Sequence, residues 1–229
     1  MLIQNGHQQL QDFTNKNYEQ TITEVTKGVW FVLGLGHSNA IFIEAGSSVI
    51  LIDTLDTRER GEQLLDLIRQ NTKKEVGTII YTHGHPDHRG GAGAFMDSRP
   101  EIIAFAPAAP ALEKTGLLQD IQNLRGARQF GYPLTDQEAI SQGIGPREGM
   151  THGEHRAFVL PTTLYEQDKV SREIDGVQLE MVRLPGESEE EIMIWLPQKK
   201  VLCCGDNFYG CFPNLYAIRG GQYRDIAVW

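Results

Sequence analysis

Residues 79–94 read Ile79-Ile80-Tyr81-Thr82-His83-Gly84-His85-Pro86-Asp87-His88-Arg89-Gly90-Gly91-Ala92-Gly93-Ala94. Three of the seven histidines in the 229-residue chain, with one aspartate, fall within six positions: His83, His85, Asp87 and His88. They follow the apolar run Val76 to Tyr81 and precede a glycine-rich turn. A buried strand that ends in such a loop predicts a metal centre. Alternate residues at a strand end, His83 and His85, point the same way. Asp87 and His88, one turn later, point at a neighbouring position. Imidazole and carboxylate donors together suit zinc or a similar divalent ion. Gly90, Gly91 and Gly93 predict close approach of backbone beside the loop.

Working outward, the length suits one large domain or two small ones, and a hydrophobic fraction of 40% fits a packed globular core. The formal net charge of -9 excludes a nucleic-acid-binding surface, which needs clustered Lys and Arg. An anionic small substrate stays possible, because a metal and one arginine dominate a local site. Three cysteines, Cys203, Cys204 and Cys211, have no framework spacing, so structural disulfides are not expected. Cys203-Cys204 reads as core filling. No apolar run has the length of a membrane span. The start, Met1-Leu2-Ile3-Gln4-Asn5-Gly6-His7, has no signal-peptide pattern. A cytoplasmic location is therefore expected, or a secreted or periplasmic one if the N-terminus has been trimmed.

In chain order, residues 1–22 are polar and read as an arm or short helix on the surface; residues 23–229 read as one metal-hydrolase domain. Val25 to Leu33, Asn39 to Ala45 and Ser48 to Asp53 are β-rich runs broken by glycines, predicting an antiparallel meander. Its inward residues are Val29, Phe31, Ile41, Ile43, Ile50 and Ile52. Asp53, at the end of the third run, either supports a metal ligand or caps the next helix. Thr57 to Thr72 is a helix with Leu64, Leu65, Leu67 and Ile68 on one face and Arg58, Arg60, Glu62 and Arg69 on the other. Val76 to Tyr81 and Ile102 to Ala106 are strands, and Pro107 to about Leu124 is a helix. Residues 125–160 carry many glycines and predict a long functional loop or cover. His152 and His155 within it are read as loop residues on the surface or facing substrate, with a metal-ligand pair as the alternative. Thr162 to Tyr165, Val170 to Ile174, Val177 to Leu184, Glu191 to Leu196 and Lys200 to Gly205 form a second set of strands, and Arg224-Asp225 reads as a helix start.

Two strand ends in this half deliver carboxylates. Glu187 follows Leu184-Pro185-Gly186, and Asp206 follows Val201-Leu202-Cys203-Cys204-Gly205. Two metals ~3.5–4 Å apart need a bridging oxygen. Asp206 is the candidate bridge and Glu187 a candidate terminal ligand. Glu189, Glu190 and Glu191 are nearby rivals, with Glu189 and Glu190 read as a solvated acidic turn.

Taken together, His83-x-His85-x-Asp87-His88 after a strand and the later Gly205-Asp206 resemble the metallo-β-lactamase superfamily. Glu187, where most members have histidine, is similar to the alkyl sulfatase (type III sulfatase) branch. So are Ser38 to Glu44, Thr82 to Gly91, Leu196 to Cys203 and Asn214 to Asp225. The resemblance runs from about residue 28 and is weakest over 125–160. It implies an α/β fold, an αββα sandwich with metals at the rim between two sheets. It also implies two zinc ions on His83, His85, Asp87, His88, Glu187, Asp206 and a further histidine, with Asp87 counted as catalytic too. Arg219 is implied in sulfate binding, and Asn214 as a weaker polar contact. The branch usually has Glu at the position of Asp206, so the reach here is one methylene shorter.

The implied activity is cleavage of an alkyl sulfate ester by a metal-bound water, giving alcohol and inorganic sulfate. The apolar stretch Phe208 to Tyr216 lines an alkyl-chain pocket or packs as core. Alternatives are a thioester, lactone or β-lactam hydrolase of the same fold, or a non-catalytic metal-binding domain. The branch's last histidine ligand has no match, because no histidine follows His155, and its helical dimerisation region and lipid-carrier-like domain have none either. The chain is therefore expected to be the first part of a longer enzyme, with a complete first metal site and an incomplete second one.

Overall fold

A computed structural model describes residues 5–107, 119–210, 212–217, 220 and 224–229. Two sheets lie face to face. The larger has seven strands in sequence order: β1 (Thr21–Thr26), β2 (Val29–Leu33), β3 (Ala40–Glu44), β4 (Val49–Ile52), β5 (Val76–Ile80), β6 (Glu101–Phe105) and β7 (Thr163–Tyr165). The smaller has four: β8 (Lys169–Ile174), β9 (Val177–Arg183), β10 (Ile192–Leu196) and β11 (Val201–Cys203), ordered β11-β10-β9-β8. The helices are α1 (Gly6–Asn17), α2 (Arg58–Asn71), α3 (Pro86–Arg89) and α4 (Gln119–Gln129), with 3-10 turns at Ala92–Ser98 and Gly149–His152.

The antiparallel meander forms as expected, but with one more strand. Val25 to Leu33 is split by a turn at Lys27-Gly28, where Gly28 takes a φ of +75° that a side chain would oppose. The stretch 1–22 read as an arm holds α1, yet its last residues, Thr21 and Ile22, already pair with Leu33 and Val32. After β4 the sheet turns parallel: β4, β5, β6 and β7 all run one way. Thr162 to Tyr165 does not join the second set of strands: β7 extends the first sheet beside β6, with Ile103 opposite Thr163. The segment at Arg224-Asp225 is a turn rather than a helix, with both Val228 N–H and Trp229 N–H donating to Asp225 O. Of the helix read over Pro107 to Leu124, residues 108–118 lie outside the described ones.

Both faces of the large sheet are buried, and for different reasons. Alternate residues Val29, Ile43, Ile50, Ile52 and Ile80 face Leu179, Met181, Ile192, Ile194 and Leu196 of the small sheet. The opposite set, Phe42, Leu51 and Ile79, packs under Leu64 and Ile68 of α2 and Phe95 of the 3-10 turn. Each such side chain, fully removed from water, contributes about 1.5–3 kcal/mol. Helix α2 starts where Thr57 accepts from Arg60 N–H, so Thr57 and not Asp53 is its N-cap. Arg60 is not on the solvent side. It is buried, with its guanidinium 3.4 Å from Asp56, 3.2 Å from Glu154 and donating to Arg147 O. A buried cation is tolerable there only because carboxylates and a carbonyl surround it. The glycines after the histidines are steric necessities: a Cβ on Gly90 would stand 1.9 Å from Asp56 O, and one on Gly91 2.1 Å from Thr54 O.

A candidate metal centre at the rim between the sheets

Parallel pairing of β4 with β5 puts Ile52 opposite Ile80, so the residues after each strand emerge side by side. Asp53 leaves β4 with a φ of +60°, a conformation few non-glycine residues adopt, and turns its carboxylate into the protein. Its oxygens accept from Thr82 N–H (2.8 Å) and Thr82 Oγ1 (2.7 Å), and one lies 2.7 Å from His88 Nδ1. Thr82 Oγ1, having given its proton to Asp53, is 3.1 Å from His83 Nδ1. Both imidazoles are thereby held with Nδ1 toward a protein acceptor and Nε2 turned to the rim.

At the rim, His83 Nε2 lies 3.0 Å from His85 Nδ1, and His85 Nδ1 is 3.7 Å from Glu187 Oε1. His88 Nε2 is 3.5 Å from Asp87 Oδ2 and 3.4 Å from Asp206 Oδ2. His83, Asp87, His88, Glu187 and Asp206 are joined with His85 in one chain of close contacts across the two sheets. His83, His85, Asp87 and His88 ride the loop after β5 and α3. Glu187 and Asp206 arrive on the loops after β9 and β11, which run in the same direction on either side of β10.

The electrostatics are those of a site built for charge. Burial holds His83 well below the usual imidazole range, helped by His88 and His85. Burial would lower His88 as well, but the carboxylates of Asp206, Asp87 and Asp53 outweigh it and hold that imidazole well above its usual range. Asp206 is pushed up by burial and pulled further down by His88 and His83, ending below the usual carboxylate range. Glu187 is raised to about 7 by burial and by the charge of Asp206, against the pull of Tyr209 and Arg224. The Arg224 guanidinium and the Tyr209 hydroxyl both contact the Glu187 carboxylate.

Does this donor set fit a divalent ion? His88 Nε2 is the decisive atom. It is buried and forms no well-directed hydrogen bond, although two carboxylates stand 3.4 and 3.5 Å away. An unpaired buried nitrogen is costly unless a proton or a metal occupies the space it faces. Donor atoms of His83, His88 and Asp206 lie within 4.8 Å of one another. Two imidazoles and a carboxylate at that spacing are a zinc-type set.

A sequence model of the metallo-beta-lactamase superfamily matches residues 33–226. The chain belongs to that superfamily. Among curated relatives, it is 33% identical over 215 residues to the alkyl/aryl-sulfatase BDS1 of Saccharomyces cerevisiae, covering 90% of this chain and 33% of that protein. An (R)-specific secondary-alkylsulfatase of a Pseudomonas species is 33% identical over 217 residues, with 90% and 32% covered. Among solved structures, the stereoselective inverting sec-alkylsulfatase Pisa1 from Pseudomonas sp. superposes with a TM-score of 0.79 at 30% identity, over 90% of this chain and 34% of that one. The chain thus spans about one third of the length of these relatives. The metallo-β-lactamase fold implies metal binding, and the rim cluster is where this chain has the donors for it.

Other sequence readings fare differently. Arg219 lies outside the described residues. Asn214 is exposed; its side chain accepts from Tyr216 N–H and its carbonyl from Arg224 Nη1 (2.6 Å), which links it to the rim through Arg224. His152 is 3.7 Å from Asp136, and His155 Nδ1 is 2.9 Å from Glu59 Oε1 in an exposed pair. Neither joins the rim cluster. Phe208 and Phe212 are largely exposed rather than core. Glu190 is no solvated turn residue: it is 3% exposed, and Glu191 is fully buried. Tyr209, inside the Phe208 to Tyr216 stretch, and Arg224, inside the Asn214 to Asp225 segment, are not marked by any local pattern as partners of Glu187.

Among the described residues, no helix is long and apolar enough to cross a membrane.

Proposed function

We propose that this chain carries the metal-binding catalytic part of a hydrolase that cleaves alkyl sulfate esters to alcohol and inorganic sulfate. The observation that carries the reading is Glu187. A carboxylate, not an imidazole, meets His85 at the rim, 3.7 Å away, in a chain whose relatives named above are alkylsulfatases.

In this reading His83, His85, Asp87, His88, Glu187 and Asp206 would hold zinc. A bound zinc ion would supply Lewis acidity and lower the pKa of a water toward ~7. The chain's own groups do the rest. Asp53 and Thr82 fix the two deep imidazoles, so that no reorientation is needed as charge changes at the rim. Asp87, next to His88, orients the attacking water and holds its proton. Arg219 makes paired charge-assisted hydrogen bonds to sulfate oxygens, and Asn214 adds a polar contact. The exposed Phe208 and Phe212, following Asp206 in sequence, offer apolar surface to the alkyl chain.

The test is release of inorganic sulfate from a linear alkyl sulfate, followed by ion chromatography, beside turnover of a lactone, a thioester and a β-lactam. Sulfate release that disappears in Arg219→Ala and Asp87→Ala supports the reading. Lactone, thioester or β-lactam turnover without sulfate release sinks it. Zinc analysis of the purified chain is expected to give at least one ion per chain, and a metal-free protein that takes up none would remove the basis for all of these activities.

A further inference from the structure

Glu190 and Glu191 are adjacent, buried carboxylates just before β10, which lies between the two strands that deliver Glu187 and Asp206. Among the described residues, neither forms a close ion pair with a lysine or arginine. Three of their four oxygens accept from backbone instead, and Glu190 Oε2 is buried without a hydrogen bond. Glu191 Oε2 accepts from Glu187 N–H at 2.8 Å, and Glu191 Oε1 accepts from Asp206 N–H at 2.9 Å. Glu190 Oε1 accepts from Gly84 N–H at 2.8 Å, the amide between His83 and His85. The backbone adds a fourth tie, as Ile192 N–H donates to Thr82 O at 3.0 Å.

We propose that Glu190 and Glu191 are positioning residues that clasp the three loops of the metal centre, one carboxylate gripping the histidine loop and the other gripping both carboxylate loops. The proposal rests on the metal-centre reading above and assigns neither residue to the metal itself. From adjacent positions in the connection that enters β10, Glu190 reaches the histidine loop of the large sheet at Gly84 N–H and Glu191 reaches the two carboxylate loops of its own sheet. Burying a carboxylate is expensive, and placing two beside a rim that already holds Asp87, Glu187 and Asp206 adds like-charge repulsion. Packing alone would be served by leucine or glutamine. Glutamate at position 191 supplies two acceptor oxygens for two amides that otherwise have none, which an amide side chain cannot do. Gly205 fits the same design. A Cβ there would stand 3.2 Å from Glu191 Oε1 and 3.0 Å from the Thr82 Cβ, so the backbone passes where a side chain would hold the clasp open.

The experiment is titration of the metal-free 229-residue chain with Co2+, reading affinity and the visible ligand-field spectrum, together with urea unfolding of the metal-free proteins. Glu190→Ala and Glu191→Ala are expected to weaken Co2+ binding about 10–100-fold, the usual effect of losing a group that orients ligands, and to alter the spectrum. Glu191→Gln keeps the shape but turns one acceptor into a donor. It is expected to weaken binding as well, and it keeps the idea testable if Glu191→Ala does not fold. Glu101→Gln, a partly buried carboxylate remote from the rim, is the control for general destabilisation and is expected to bind Co2+ like the unmodified chain. Unchanged affinity and spectrum in all the Glu190 and Glu191 variants that fold would overturn the clasp while leaving the metal centre standing. So would an equal loss in Glu101→Gln. Failure of the unmodified chain to bind Co2+ at all would overturn the metal-centre reading and the clasp with it.

Discussion

His88 Nδ1 lies 2.7 Å from Asp53 Oδ2, a contact between the end of β4 and α3 that joins residues 35 apart in sequence. The carboxylate also accepts from Thr82 N–H and Oγ1, so it is locked before it meets the imidazole. Replacing it removes the group that sets the tautomer of His88 and aims Nε2 at Asp87 and Asp206. Asp53→Ala is expected to lower zinc affinity about 10–100-fold, measured by competition with a chromogenic chelator. Affinity within twofold of the unmodified chain would mean that Asp53 is merely a strand-end cap.

Glu187 and Arg224 form a second long-range pair, both largely buried, with side-chain exposures of 13% and 8%. Removing one member of a buried pair leaves the other uncompensated, at a typical cost of about 3–5 kcal/mol. Glu187→Ala is expected in that range for the metal-free protein. The double variant with Arg224→Ala should cost less than the sum of the two single ones. Urea unfolding of all four proteins closes the cycle, and strict additivity would show that the contact contributes nothing.

Glu101 on β6 bridges the sheets. It accepts from both Nη atoms of Arg172 on β8, at 2.8 and 2.7 Å, and from Thr163 Oγ1 on β7. The Arg172 hydrogen bonds hold the Glu101 carboxyl below its ordinary range, against the opposing effect of burial. A carboxyl lowered on folding stabilises the protein fully above its unfolded pKa of about 4.3. That contribution fades as pH falls below this value and through the lower folded one. Glu101→Gln is therefore expected to cost about 1–3 kcal/mol at pH 7, with the gap to the unmodified protein narrowing below about pH 4. Thermal melts across pH 3 to 7 check it, and a gap that widens in acid would reverse the sign.

Gly90 admits no side chain. A Cβ would stand 1.9 Å from Asp56 O and 2.8 Å from Pro86 O, both backbone atoms that cannot swing aside. Gly90→Ala is expected to destabilise by about 3 kcal/mol or more, or to abolish soluble expression. Gly126→Ala, where nothing lies within 4 Å, is the matched control. Equal melting temperatures for the two would refute the close packing of the metal loop on the β4 end.

Much of the centre was legible because it is local. His83, His85, Asp87 and His88 lie within six positions, and a strand followed by that loop needs no tertiary information to be read as a metal-binding turn. Glu187 and Asp206 were legible for a weaker reason: each follows a run ending in glycine, and strands of one sheet tend to deliver their ends to a shared rim. Glu190 was misread as solvated because acidic runs usually are, and only the neighbouring amide of Gly84 turns burial into an advantage.

The amino-acid sequence by itself determined the periodic elements, the histidine loop, the glycines that let it fold against its neighbours, and the family. These depend on contacts within a few residues or on one strand's alternation. The fold decided which acids meet the histidines at the rim, which face backbone and which face solvent. It also decided that β7 joins the large sheet, that Arg60 and Arg224 are buried, and that Asp53 serves His88 rather than α2. Those outcomes depend on which strand ends meet, and a carboxylate's role is set by whichever donors the fold brings to it.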